Sequence, residues 1–332
     1  MSQPADSASA PVSGPDSAPL PPVLAAARLA PLYQEALRRH CTLHDRLHET
    51  DPAAFVALAP HIQVVAAQGE TRVSAELMAQ LPALKLISVM GVGYDGVDVA
   101  EALRRGVMVT HTPDVLNDEV ADTAIGLMLC AARQLPAADR FVRAGEWLKG
   151  PMPLQRKMTG ARLGIVGMGR IGKAIAQRAL AFRMSIAYHA RSAKPELPWD
   201  YEASVVALAA RSDFLVVITP GGAGTRHLIY AVVLQALGPK GVLVNVARGS
   251  VVDEAALVSA LQEGALGGAA LDVFADEPRV PEALLGMPHV VLTPHIGSAT
   301  HETRQAMCDL AVNNVAAQLA GRPVLTPVPE CR

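Results

Sequence analysis

The chain has 332 residues, 51% of them hydrophobic, 18% charged and 4% aromatic, with a formal net charge of -2. That length holds two domains of ordinary size, each with its own core, and the balance is that of a soluble globular protein. No basic excess advertises nucleic acid or a membrane surface, and too few aromatics remain for a platform that stacks single-stranded bases. The four cysteines, Cys41, Cys130, Cys308 and Cys331, are scattered and form no CxxC pair. A reducing cytoplasm fits this usage best. The longest near-apolar stretch, around Ala124 to Ala132, is too short to span a bilayer. Residues 1–21 are mostly Ser, Pro, Ala and Asp, with no basic start or apolar core, and read as a disordered tail and not as a secretion signal.

From Pro22 the pattern alternates. Apolar runs VLAAA (23–27), IQVVAA (62–67), LKLISV (84–89) and VMVTH (107–111) read as buried strands. Helix-like stretches LYQEALRRH, DPAAFVALAP, SAELMAQL and VDVAEALRRG lie among them, and CTLHDRL reads as a further strand. EVADTAIGLMLCAAR (119–133) is a longer amphipathic helix, and AADRFVRAGEW is expected to continue in helical register after Pro136. A second series follows: RLGIVG (162–167), MSIAYH (184–189), FLVVIT (214–219), VLVNVA (242–247), GAALDV (268–273) and HVVLTP (289–294). After His295 the sequence turns helical again. Alternating strands and helices mean parallel strands with helical crossovers. The fold class is therefore α/β, with two doubly wound, Rossmann-like or flavodoxin-like domains and a cleft between them. Residues 22–115 and 298–332 are expected to form a discontinuous substrate-binding domain, and residues 116–297 a dinucleotide-binding Rossmann domain.

Gly167, Gly169 and Gly172 supply a G-x-G-x-x-G fingerprint. The first permits a tight turn, the second lets the backbone approach a pyrophosphate, and the third allows close packing of helix on strand. The backbone N–H groups of Arg170 and Ile171 would open a helix whose positive end favours the diphosphate. A glycine-rich turn without a ligand is the bland alternative. The strand before the fingerprint and the helix KAIAQRALAF after it supply the context a nucleotide site requires. The next strand ends in YHARS, where an acid would grip the ribose of NAD. Ala190 stands near that position, followed by Arg191 and Ser192. The loss of the acid and the gain of Arg and Ser favour a 2′-phosphate, so NADP is the expected cofactor, with NADPH preferred and NAD as the second candidate. A solvated loop arginine is the competing reading.

Three more stretches stand at strand ends: NVARGSVVDE (245–254), ALDVFADEP (270–278) and LTPHIGSAT (292–300). The carboxyl ends of strands in an open parallel sheet form the ligand crevice, so Arg248, Glu277 and His295 are expected in one cleft. Their types suit reduction of a 2-keto acid. Arg248 can fork onto a carboxylate and polarise the neighbouring carbonyl. His295 can donate a proton, and Glu277 can hold its ring and favour the cation. Singly, each has a plain structural alternative: a turn histidine, a surface ion pair.

GIVGMGRIGKAIA, NVARGSVVDE, LDVFADEP and PHIGSATHETRQAM together resemble the D-isomer-specific 2-hydroxyacid dehydrogenases, in particular the NADPH-preferring glyoxylate/hydroxypyruvate reductase branch. The likeness runs from about Val23 to the last helix. It implies Arg248 as the substrate-binding catalytic arginine, His295 as acid/base and Glu277 as its partner. It also implies Val92 and Gly93, in VMGVGYDGVD, as backbone donors to the substrate carboxylate. Asp272 would contact the nicotinamide end, and Thr219, Pro220, Val246 and Gly297 would line the cofactor. The implied reaction takes small 2-keto acids, glyoxylate and hydroxypyruvate, to D-2-hydroxy acids, with a homodimer as the expected assembly. PGGAGTRH (220–227) departs from the more usual PLTPET-type segment. Glu277 argues against formate dehydrogenases, and the lack of a regulatory domain after the last helix argues against multidomain phosphoglycerate dehydrogenases.

His40, His44 and His48 have a spacing that hints at a metal site, but they fall at a helix end and on the next strand, so no metal is expected. Trp147, after the long helix, is either core or part of a region that reaches a neighbouring subunit's active-site mouth in related dimers. Two rival functions stand beside the main one: the same chemistry on a bulkier acid, such as an aryl pyruvate or 2-ketogluconate, and a nucleotide-sensing corepressor-like binding protein.

Overall fold

Residues 20–332 are described by a computed structural model of the chain. Of the expected N-terminal tail, all but Leu20 and Pro21 lies outside the described residues. The first series of strands comprises β1 (Pro22–Ala25), β2 (Thr42–Asp45), β3 (Val64–Gln68), β4 (Leu86–Met90) and β5 (Met108–Thr110). They form one parallel sheet in the order β2-β1-β3-β4-β5. The second series begins with β6 (Arg162–Val166), β7 (Ser185–His189) and β8 (Asp200–Tyr201). It continues with β9 (Phe214–Val217), β10 (Val242–Asn245), β11 (Gly268–Leu271) and β12 (Val290–Leu292). These are also all parallel, in the order β12-β11-β10-β9-β6-β7-β8.

Burial explains the sequence pattern. Every residue of β4, β9, β10 and β11 is buried. Strands covered by helices on both faces read as continuous apolar runs, as these do. The two exposed residues of β8 form a short edge strand that no apolar run announces. The strand order reverses between β1 and β3 in the first sheet and between β6 and β9 in the second. Ligands bind such open sheets outside the carboxyl ends of the strands, at this switch point.

Helix α1 (Asn117–Arg133) buries Val120, Ala121, Ala124, Ile125, Leu127 and Met128, and packs against α3 (Arg170–Ala181) after the fingerprint. The expected continuation of α1 is corrected by the structure. Gln134 adopts a left-handed conformation at φ 49° and closes α1, and a separate helix α2 (Leu135–Arg143) starts beside it. Pro136 stands in the first turn of α2. A proline lacks the N–H that a continuous helix needs there and its ring crowds the preceding turn, so it suits a helix start. Helix α4 (His301–Leu319) is capped by Thr300, whose hydroxyl accepts from the Thr303 N–H at 3.1 Å. It returns to the first sheet, lying along β4, where Ser88 Oγ donates to the Ala311 carbonyl at 3.2 Å. Asn314 then ties down the chain beyond it, its Oδ1 accepting from Leu325 N and Thr326 N. One apolar cluster runs from Val23 and Leu86 through α1 to Ile165 and Val244, so the two sheets are fixed to each other through buried contacts.

His40, His44 and His48 occupy a turn, β2 and a short helix respectively. Among the described residues no group of three His, Cys, Asp or Glu side chains could hold a metal ion. No described helix is long and apolar enough to cross a membrane.

Candidate active site

The fingerprint loop lies at the β6/β9 switch. The N–H of Gly167 donates to the His189 carbonyl at 2.9 Å, which sets the glycine turn beside the end of β7. Gly167 has φ +108°, and a Cβ there would lie 2.6 Å from the Ile218 carbonyl oxygen. A Cβ on Gly172 would strike the Gly167 carbonyl, so both glycines are required by close packing. Gly169 differs, because no atom lies within 4 Å of its would-be Cβ. It precedes Arg170, the first residue of α3, in open space that leaves the helix N-terminus accessible to a diphosphate. The residues present therefore fit a dinucleotide. Thr219 and Pro220 follow β9, and buried Val246 follows β10 on the same edge. Arg191 and Ser192 follow β7 and are exposed, and Arg191 makes no ion pair among the described residues. The Arg170 side chain itself pairs with Asp114 of the first sheet's last loop at 2.9 Å.

The corner built by β11 and β12 is dense in hydrogen bonds. Asp272 is 2% exposed, and its carboxylate accepts from Thr293 Oγ1 at 2.7 Å and from the N–H groups of Ile296 and Gly297, each at 2.8 Å. Its backbone carbonyl accepts from the His295 N–H at 2.8 Å. These bonds hold His295 at φ +53°, a left-handed conformation that a non-glycine residue adopts only when its surroundings impose it. The imidazole Nδ1 lies 2.7 Å from Glu277 Oε2, and Glu277 Oε1 accepts from the Phe274 N–H at 3.1 Å. Burial pushes the Glu277 carboxyl up. The hydrogen bond and charge of His295, the Phe274 N–H and the Arg248 charge outweigh it, and the group ends below its ordinary value. Glu277 thus stays a carboxylate that accepts from Nδ1–H, and Nε2 makes no hydrogen bond among the described residues.

Arg248 follows β10 and reaches the first sheet. Its side chain is 15% exposed, with Nη1 donating to its own neighbour, the Ala247 carbonyl, at 2.8 Å. Its Nη2 lies so close to Gly93 that any Cβ there would collide with it. The N–H groups of Val92 and Gly93 have no acceptor among the described hydrogen bonds, while the Val92 carbonyl is held by His111 Nδ1 at 3.0 Å. A guanidinium edge thus lies beside a backbone segment with two N–H groups that have no acceptor among the described hydrogen bonds, a combination that suits a carboxylate. Arg248 also acts on the Glu277 carboxyl, so the sequence-predicted Arg248, Glu277 and His295 share one cleft with Val92 and Gly93.

Four residues here were not legible beforehand. Glu70, just past β3, and Asp95 each place a carboxylate oxygen 3.3 Å from Arg248 Nε. Asp95 lies two residues beyond Gly93, in a glycine-rich segment that was the available signal; nothing marked Glu70. Gly221, in the unusual PGGAG loop, passes so close that a Cβ would lie 2.8 Å from Asp95 Oδ2 and 3.0 Å from Arg248 Cγ. Arg304, in the first turn of α4, is half-buried and feels the charge of Asp272.

An open parallel sheet with a glycine cradle, facing a half-buried arginine and a Glu-supported histidine, is the arrangement of a nicotinamide-dependent dehydrogenase of 2-hydroxy acids. Residues 125–297 match the family described as "D-isomer specific 2-hydroxyacid dehydrogenase, NAD binding domain". The chain is 51% identical to a hydroxyphenylpyruvate reductase of Plectranthus scutellarioides, over 84% of this chain and 90% of that one. It is 43% identical to a 2-ketogluconate reductase of Gluconobacter oxydans, over 93% and 98%. Among solved structures it resembles an NADPH-dependent glyoxylate/hydroxypyruvate reductase of Sinorhizobium meliloti in complex with NADP and malonate. That match has a TM-score of 0.88 and 47% identity, covering 94% of this chain and 97% of the other. The chain belongs to the D-isomer-specific 2-hydroxyacid dehydrogenase family, in its reductase branch.

Proposed function

We propose that the protein reduces small 2-keto acids, glyoxylate and hydroxypyruvate among them, to D-2-hydroxy acids at the expense of NADPH. The observation that carries this reading is the 2.7 Å contact of Glu277 with His295 Nδ1, in a cleft shared with Arg248 and the free N–H groups of Val92 and Gly93. In the proposed reaction the Val92 and Gly93 N–H groups and Arg248 hold the substrate carboxylate. Arg248 also polarises the adjacent carbonyl, and Nε2 of His295 delivers a proton to the carbonyl oxygen as it becomes a hydroxyl. Glu277 orients the imidazole through its contact with Nδ1. NADPH, when bound, supplies the hydride for the carbonyl carbon. Gly167, Gly169, Arg170, Ile171 and Gly172 would hold its diphosphate, Thr219, Pro220, Val246, Asp272 and Gly297 would line its nicotinamide half, and Arg191 with Ser192 would bind the 2′-phosphate.

On this reading residues 22–115 and 298–332 act as the substrate domain and residues 116–297 as the dinucleotide domain. The contacts of α4 along β4 support that division. A homodimer is part of the proposal, supported by exposed Leu135, Val142, Trp147, Leu148 and Leu154 on and just beyond α2. A cytoplasmic location is supported by four unpaired thiols. Steady-state oxidation of NADPH and NADH with glyoxylate and hydroxypyruvate tests the reading. Turnover of both acids with lower KM for NADPH is expected. No turnover with either cofactor and any 2-keto acid would replace the enzyme by a nucleotide-sensing binding protein.

A further inference from the structure

The 2-keto acid reading above leaves the tail of the substrate open, since relatives of similar identity are named for an aryl acid and for a polyhydroxylated one. The first-sheet wall of the cleft bears on that choice. Glu70 Oε1 lies 3.3 Å from Arg248 Nε, and the side chain keeps 46% of its surface exposed. Burial raises the Glu70 carboxyl, Arg248 lowers it, Glu277 and Asp95 raise it and His295 lowers it, with a net rise. Its contact with Arg248 places Glu70 beside the groups proposed to hold and protonate the substrate.

Its loop is firmly tied. Thr71 N and Oγ1 both donate to the Gln68 carbonyl, at 3.0 and 2.5 Å, and Val73 N donates to the Gly96 carbonyl at 3.0 Å. Beside it opens a cavity of about 310 Å³ lined by Glu70, Arg72, Asp95, Gly96, Ser250 and Phe274. Phe274, the one large apolar side chain in this wall, is only 5% exposed. The lining of this cavity is therefore mostly polar, with two carboxylates, Glu70 and Asp95, against one guanidinium, Arg72.

We infer that Glu70 is a specificity-determining residue, selecting 2-keto acids that carry hydroxyl groups on the carbons beyond the carbonyl. A hydroxyl donates to the carboxylate in a charge-assisted hydrogen bond. An aryl tail would strip water from Glu70 and return no hydrogen bond, and a second carboxylate would meet the like charges of Glu70 and Asp95, which outnumber the one cation of the lining, Arg72. Glyoxylate has no carbon beyond its carbonyl and is blind to this contact, so it serves as the internal standard.

The test is kcat/KM with NADPH for glyoxylate, hydroxypyruvate, 2-ketogluconate, phenylpyruvate and oxaloacetate, in the parent and in Glu70→Gln and Glu70→Leu, each divided by the same protein's value for glyoxylate. Glu70→Leu is expected to lower the hydroxypyruvate and 2-ketogluconate ratios about ten- to hundredfold, the loss of a charged hydrogen bond, and to raise the phenylpyruvate ratio. Glu70→Gln keeps an acceptor oxygen without the charge. It should hold the hydroxylated ratios within a few-fold and raise the oxaloacetate ratio, which keeps the inference testable if the leucine variant does not fold. Ratios that stay constant in both variants would overturn the inference and leave Glu70 as a counter-ion of Arg248 alone. A parent that reduces none of the five acids overturns the underlying 2-keto acid reading, a separate failure.

Discussion

On the second-sheet wall of the cleft, both carboxylate oxygens of Asp272 and both of Glu277 accept hydrogen bonds, three of them from backbone N–H groups. On the first-sheet wall, Glu70 and Asp95 approach Arg248 Nε to 3.3 Å, yet that buried nitrogen makes no properly aligned hydrogen bond. The second-sheet wall is built from directional bonds at strand ends, the first-sheet wall from charge and proximity. Proton delivery needs a ring fixed to within a fraction of an ångström, because misplacement is costly in rate. Grip on a substrate tolerates a guanidinium steered by partly solvated charges, whose pairing contributes little to stability. On the proposed function, the difference separates the reaction, assigned to the hydrogen-bonded wall, from substrate choice, assigned to the wall built from charge.

The largest break in that comparison is His295→Ala. Turnover is expected to fall by about 10²–10⁴-fold, the usual contribution of a general acid, while the NADPH dissociation constant measured by fluorescence titration hardly moves. Activity within a few-fold of the parent would take His295 out of proton transfer. Arg248→Lys comes next. It keeps the charge but loses the planar fork proposed to meet both carboxylate and carbonyl, so kcat/KM should drop by about a hundredfold or more. Unaltered saturation with glyoxylate would put the keto acid elsewhere.

At the cofactor end, Arg191→Ala should weaken NADPH binding by about ten- to hundredfold and NADH binding far less, with the gap closing as salt is added. Equal NADPH affinities in parent and variant would return Arg191 to an ordinary solvated side chain. Gly221→Leu sharpens the contrast between the walls. Its Cβ would press on Asp95 at 2.8 Å and Arg248 at 3.0 Å, so KM for the keto acid should rise by about tenfold, with the affinity for NADPH changing less.

The smallest effect concerns acid stability. Glu277 has a folded-state value below its ordinary 4.5, so its stabilising contribution is complete above that pH and is lost as pH falls through the lower folded value. Glu277→Gln should therefore lower the Tm at pH 7 by no more than about 2–4 °C, and the difference from the parent should vanish in acid. A Tm difference that persists unchanged below pH 3 would assign the loss to packing.

The sequence by itself determined the parts that are local. Continuous apolar runs announced the buried parallel strands, the spacing of Gly167, Gly169 and Gly172 announced the cradle, and PHIGSAT and LDVFADEP announced the histidine and its acid. Each rests on backbone geometry within a few residues, and such geometry is legible in order and spacing. The break at Gln134 was missed because Pro136 is equally at home in the first turn of a new helix, and the two-residue edge strand β8 carries no apolar run. Tertiary structure alone decided what stands across the cleft. Glu70 and Arg248 are far apart in the chain, and only the packing of two sheets through α1 and α4 brings an unremarked surface glutamate to 3.3 Å from the arginine. No spacing rule encodes that contact, because it is set by how two separately folded sheets are held against each other.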